Sequence, residues 1–271
     1  WRCPPGNPAA GWAPHWGGNA EKEIERTLES VYYQSYQNIE YIIKDGKSTD
    51  KTMEIIDKYK TLFQEKGIAL NCSSESDKGI YDAMNTAVKM CGGDWVIFMN
   101  AGDAFYDDNV LSDVFMEKDW EKADVLYGHT LYRLTKSEGI IVNHDSDFLN
   151  LGWSLCHQSL FVKRYLLEKF PFDCQYRIVA DYDQILRLKQ KNYIFCKVNA
   201  IISDVDREGI SSKMVYLRYK ENNMLRDNYN LDFKKKNCVI GCIKQFAVKF
   251  VPVLERHYYV KHCEKRIISY K

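Results

Sequence analysis

Apolar residues along this chain alternate between a helical period and short unbroken runs. Ile80, Met84, Ala87 and Val88 fall on one face of a helix. Gly92 and Gly93 follow as a helix stop. Trp95 to Met99 is then a continuous apolar run, as a strand buried on both faces requires, and this points to a parallel sheet. The same alternation precedes it. Ile24, Leu28, Val31 and Tyr32 mark a helix that Asn19 can cap, with Glu21 and Glu23 favourable to its dipole. IEYIIK at 39–44 reads as a strand, and Met53, Ile56, Tyr59 and Phe63 as one side of a helix. Ile68 to Cys72 is a weaker strand.

The pattern continues beyond Asp103. Val110, Leu111, Val114 and Phe115 predict a helix, and Ala123 to Gly128 a strand. Thr130–Leu134 and Gly139–Val142 flank a polar turn and predict a hairpin. An apolar strand after Ser159, a short helix to Phe170, a helix opening in YRIVADYD at 176–183 and a strand over 193–205 complete the body. From Ser212 onward helices are expected to the C-terminus. Strand and helix alternation of this kind predicts a doubly wound α/β sheet. Right-handed crossovers then place Asp45, Asp77 and Asp103, each following a strand, along one edge. In open sheets that carboxyl edge is where ligands bind.

Residues 1–18, rich in Pro, Gly and Trp, show neither period, and no strand is expected before the first helix. They read as a leader standing in place of a native first strand, the alternative being a genuine extension.

Composition changes the picture at one end. The formal charge is +1, yet residues 234–271 hold ten Lys/Arg against two Glu. A basic tail on an acidic body suggests a negatively charged partner surface, a membrane or a nucleic acid. Val239, Ile243, Phe246, Phe250 and Leu254, beside Lys244 and Lys249, form an apolar stripe that Pro252 bends or breaks. Such a helix can lie on an anionic membrane or pack on the body with a solvated basic face. The nine cysteines form no CxxC pair, which suits reduced thiols and a cytoplasmic location. No apolar run approaches the ~20 residues that span a bilayer.

Asn100 and Asp103, released after the buried run, can seat a metal or a phosphate-bearing ligand, or simply start a turn and cap a helix. The ordered set NAEKEIERTLESV, IKDGKSTDKT, SESDKGIYDAMN, GDWVIFMNAGD, VLYG, CHQSLF, ADYD and EGISS resembles the inverting GT-A glycosyltransferases of family 2. The likeness is to the bacterial capsule and exopolysaccharide, colanic-acid type, and runs from about Asn19 to Ser212. It implies a mostly parallel Rossmann-like sheet flanked by helices, with a helical C-terminal extension. Residues 19–212 would form the catalytic domain, a nucleotide-sugar half to about 103 and an acceptor half after it. Residues 213–271 would be the extension.

The resemblance implies roles residue by residue. Asp45 would contact the nucleotide base or ribose, and Asp77 would be a second donor-binding acid with Lys78 and Gly79 beside it. Asn100 and Asp103 stand where the family has its Asp-x-Asp element, so Asp103 would hold Mn2+ or Mg2+ against the donor diphosphate. Asn replaces the first acid. Asp181 would be the catalytic base, with Asp183 the second candidate. His157 and Gln158 would lie toward the acceptor, and Arg207 would reach the diphosphate.

The implied reaction moves a sugar from a nucleotide donor, UDP-linked, to a saccharide or polyprenyl-diphosphate-linked acceptor in surface polysaccharide assembly. Nucleic acid is not an implied partner. The implied place is the cytoplasm, or the inner face of the plasma membrane. A rival reading is a non-catalytic sugar-nucleotide or membrane-binding protein, inert for want of a first strand and of the acid at 100.

Overall fold

A computed structural model describes residues 8–12, 19–116, 118–133, 138–142, 155–206, 209–232, 235, 237–241 and 265–269. The elements run β1 (Pro8–Trp12), α1 (Ile24–Tyr32), β2 (Glu40–Asp45), α2 (Thr52–Glu65), β3 (Ala69–Ser74), α3 (Ile80–Met90) and β4 (Trp95–Met99). Then come β5 (Ala104–Phe105), α4 (Val110–Phe115), β6 (Val125–Arg133), β7 (Glu138–Val142), a 3-10 turn (His157–Ser159), β8 (Leu160–Lys163) and α5 (Arg164–Lys169). The last are α6 (Ala180–Gln190), β9 (Phe195–Asp206), α7 (Ile210–Lys213), α8 (Val215–Tyr229) and β10 (Lys265–Ser269).

The strands form one mixed sheet in the order β10-β7-β6-β8-β4-β1-β2-β3, with β9 pairing β5 and β6. The expected α/β architecture is present, and β1 to β4 are mutually parallel. The unbroken run of β4 divides by the strand period of two. Val96 and Phe98 enter the core under α3, α5 and α6, while Trp95, Ile97 and Met99 enter the core under α1, α2 and α4. Each such fully buried side chain contributes about 1.5–3 kcal/mol. The pairs Val96/Ile97 and Ile42/Ile43 therefore rivet both layers to one sheet.

Gly128 shows why VLYG ends in glycine. A Cβ there would stand 2.8 Å from Ala200 O and closer still to Ile202 Cγ1. Beside it the β6–β9 register shifts between Tyr127 and His129.

Four expectations are corrected. Residues 8–12 do form a strand, β1, parallel to β2 on one side and β4 on the other. Both neighbours present unpaired backbone groups along that gap, and a buried strand edge must be satisfied. That requirement is tertiary and leaves no period in the Pro- and Gly-rich segment itself. Asn19 does not cap α1; its Oδ1 accepts from Thr49 N at 2.9 Å, pinning the loop after β2. The stop after α3 is Cys91, in extended conformation, one residue before the glycines. The C-terminal segment is not wholly helical: β10 pairs antiparallel with β7 and covers an otherwise open edge. Most of the apolar stripe, Ile243 to Leu254, lies outside the described residues.

Candidate active site

Parallel pairing brings the carboxyl ends of β2, β3 and β4 to one edge, and with them Asp45, Asp77, Asn100 and Asp103. Asp45 is buried, and its carboxylate accepts from Ser48 N at 3.0 Å, from Ser74 Oγ at 2.5 Å and from the Ser48 hydroxyl. It thus shapes the 46–48 loop from within. Lys44 beside it is also buried, donating to the carbonyls of Asp45 (3.0 Å) and Glu75 (2.5 Å).

Asp77 half-caps α3. Its Oδ1 accepts from Gly79 N at 2.9 Å, while Lys78 N donates to Asp82 Oδ2 at 2.9 Å. Gly79 has φ 130°, a conformation other residues rarely adopt, which is why glycine opens this helix. The Lys78 side chain is exposed.

Asp103 is buried at 5% exposure. Oδ2 accepts from Gln158 Nε2 at 2.7 Å and Oδ1 from Asp206 N at 3.2 Å. Burial raises its carboxyl above the ordinary range, partly offset by these bonds and by the nearby His157 and Asn100. The turn that carries it is held by Thr27, whose hydroxyl donates to Asp103 O at 2.7 Å and accepts from Gly102 N at 2.9 Å. The expectation of Asp103 as metal ligand meets a buried carboxylate that already accepts one hydrogen bond at each oxygen and keeps a further lone pair on each. Among the described residues no group of three His, Cys, Asp or Glu side chains is placed to hold an ion. A cation at Asp103 would need ligands beyond the described side chains, such as diphosphate oxygens.

Asp181 opens α6 and is the acid that faces this edge. Its Oδ2 lies 3.1 Å from His157 Nδ1, and its Oδ1 accepts from Tyr182 N (2.8 Å) and Tyr81 OH (3.2 Å). Burial, then the charge of Asp181, holds the Tyr81 phenol well above its usual value, so it serves as a donor. The other imidazole nitrogen, Nε2, lies 3.2 Å from Asn100 Nδ2. His157 thus joins the β4 edge to the α6 acid, and Gln158, the next residue, holds Asp103.

Asp183 is not brought to this site. Two residues along a helix point to opposite sides, and Asp183 faces α8 instead. It pairs with Arg187 Nε at 2.8 Å and accepts from Tyr229 OH at 2.7 Å, beside a cavity of about 570 Å³ bordered by Tyr176 and Asn228. Arg207 lies outside the described residues.

One cluster carries no local sequence signal. Arg26 and Arg133 both pair with Asp204, at 2.6 and 3.0 Å, and both reach Gly102 O. Burial lowers the Arg26 pKa; Asp204 opposes that and Arg133 adds to it. Four distant segments meet here. The contact of Asn100 with His157 was equally hidden, although CHQSLF had singled out the histidine.

This sheet order, with its acids at one edge, defines a GT-A nucleotide-sugar fold. Solved structures of that fold superpose on the chain. Staphylococcus aureus TarS 1-349 in complex with UDP-GlcNAc gives a TM-score of 0.61 at 19% identity, covering 84% of this chain and 68% of that one. The mannosyltransferase PcManGT from Pyrobaculum calidifontis, in complex with GDP-Man and Mn2+, gives 0.62 at 19% identity, covering 84% and 65%. The family model for glycosyl transferase family 2 matches residues 18–179, and the chain belongs to that family.

Among curated proteins, a PGL/p-HBAD biosynthesis glycosyltransferase of Mycobacterium bovis is 31% identical over 173 residues. That match covers 62% of this chain and 65% of the relative. An uncharacterized glycosyltransferase of Mycobacterium tuberculosis is 29% identical over 199 residues, covering 70% and 72%. Among the described residues no helix is long and apolar enough to cross a membrane.

Proposed function

We propose that this glycosyltransferase moves a sugar from a UDP-linked donor to a saccharide or polyprenyl-diphosphate-linked saccharide, with inversion, during surface polysaccharide assembly. One observation carries the reading. The Asp181 carboxylate is oriented by Tyr182 N and His157, with Tyr81 OH sharing its proton between Ile178 O at 2.8 Å and Asp181 at 3.2 Å, and is tied through His157 to the β4 edge. A carboxylate so held suits a general base, worth about 10²–10⁴ in rate.

In the proposed step the acceptor hydroxyl oxygen bonds to the anomeric carbon as that carbon's bond to the diphosphate oxygen breaks. The nucleoside diphosphate leaves with the electron pair, and the hydroxyl proton passes to Asp181. A single displacement inverts the centre. Asp45, Asp77, Lys78 and Gly79 are assigned to the donor's nucleoside side, and the UDP and UDP-GlcNAc in the TarS structures support a uridine donor. The 570 Å³ cavity is left out of this assignment, because Asp183, Arg187 and Tyr229 already bond to one another there.

The mannosyltransferase structure carries Mn2+ with its GDP-Man. A divalent ion, Mn2+ or Mg2+, enters this proposal only as a companion of the donor diphosphate, and no step is assigned to it. The ten basic residues of 234–271 are proposed to hold the enzyme on the anionic inner face of the plasma membrane. The rival inert reading loses one of its two grounds with β1 in place.

A screen of sugar nucleotides against saccharide acceptors, followed by proton NMR of the product, tests the reading. Transfer from a UDP-sugar with inverted anomeric configuration supports it. A retained configuration overturns it, as does tight donor binding without transfer to any acceptor.

A further inference from the structure

His157 is the only described side chain that touches both Asn100 and Asp181. A carboxylate offers lone pairs alone, so at 3.1 Å from Asp181 Oδ2 the imidazole Nδ1 must carry a proton. In the neutral ring Nε2 is then an acceptor and needs a donor. Asn100 presents its Nδ2 there at 3.2 Å. That acceptor fixes the amide one way round, and the consequence is visible on its other side. Asn100 Oδ1 is buried with no hydrogen-bond partner among the described residues. A buried orphan oxygen is costly. It is kept because turning the amide would set its oxygen against the lone pair of Nε2.

We propose that Asn100 and His157 are a positioning pair for the base: the Asn100 amide selects the Nδ1–H tautomer of His157, and that N–H orients the Asp181 carboxylate. This rests on the reading of Asp181 as base and adds to it the reason for an amide, rather than an acid, at position 100. An Asp there would accept from Nε2 as Asp181 accepts from Nδ1. The ring would become a cation between two carboxylates, with Asp103 a third nearby. Among the described residues, the ionisable groups around the imidazole are Asp181 from α6, Asp103 from the turn after β4 and, behind Asp181, Tyr81 from α3.

The test uses the full chain. Long-range proton–nitrogen NMR reads the tautomer of His157 directly, its signals assigned among the six histidines by their loss in His157→Asn. The expected result is a ring protonated at Nδ1 with Nε2 accepting from Asn100, and a changed Nε2 signal in Asn100→Asp. A ring protonated at Nε2, or a wild-type imidazolium, overturns the proposal without reference to activity.

In turnover, His157→Ala and His157→Gln should lower kcat about 10- to 100-fold at unchanged donor KM. His157→Asn, whose amide nitrogen can stand where Nδ1 stood, should restore most of it. Asn100→Asp should displace the pH–rate profile. If Asp181→Asn is inactive while His157→Ala turns over normally, this inference fails and the base assignment survives. If Asp181→Asn stays active, the base assignment itself has failed.

Discussion

Gln158 Nε2 donates to Asp103 Oδ2 at 2.7 Å, while its neighbour His157 lies 3.1 Å from Asp181. One 3-10 turn therefore serves both acids of the site. It follows a buried Cys156 and leads directly into β8, so its position is set by the sheet. The two acids are fixed relative to one another by backbone continuity, and any shift of β8 moves both.

Asp103 is expected to act first as a structural acceptor. Asp103→Ala would remove the acceptor of Gln158 Nε2 and of Asp206 N, a loss of about 3 kcal/mol, or roughly 6–12 °C in Tm. Asp103→Asn keeps one of the two acceptors and should recover part of that stability in a thermal melt. Because burial raises the Asp103 carboxyl, the folded chain binds its proton more tightly than the unfolded chain does. This part of the stability is present at acid pH and lost as pH rises from the ordinary carboxylate value through the folded one. Asp103→Asn should flatten that slope in melts taken across the same range.

Asp181 and Asp183 should separate cleanly. Asp181→Asn is expected to lower kcat by about 10²–10⁴ with donor affinity unchanged by calorimetry. Asp183→Asn should lower Tm, since it removes the charge paired with the half-buried Arg187, and leave kcat within a few-fold. The reverse pattern would move the base to the α8 side of the helix.

Gly128 should not tolerate a side chain. The backbone oxygen of Ala200 cannot yield as a side chain would, so Gly128→Ala is expected to cost about 1–3 kcal/mol. Chemical denaturation of the variant measures this directly.

The basic tail has its own test. Replacing Lys234, Lys236, Lys244 and Lys249 by Gln leaves β10 intact. The variant should lose co-sedimentation with anionic vesicles at low salt, at about 1 kcal/mol per residue. Undiminished sedimentation would detach membrane binding from these lysines.

Most elements from α1 to α6 were legible in the sequence because most bury a face against the sheet, and burial imposes a period of 3.6 or two; the two-residue β5 was not, and β6 is one strand where two were expected. Asp45, Asp77 and Asp103 could be placed on one edge for the same reason: parallel strands put every following loop on one side. What lacks a period stayed hidden. Strand β1 exists because β2 and β4 leave a backbone gap, and β10 because β7 leaves an edge. The pairing of Asn100 with His157, 57 residues apart, and of Arg26 with Asp204, 178 apart, depends on where the turns close in space. Hydrogen bonds of that separation impose no repeat on the chain, so only the tertiary structure decides them. They also decide which of two acids on one helix, Asp181 or Asp183, faces the ligand edge.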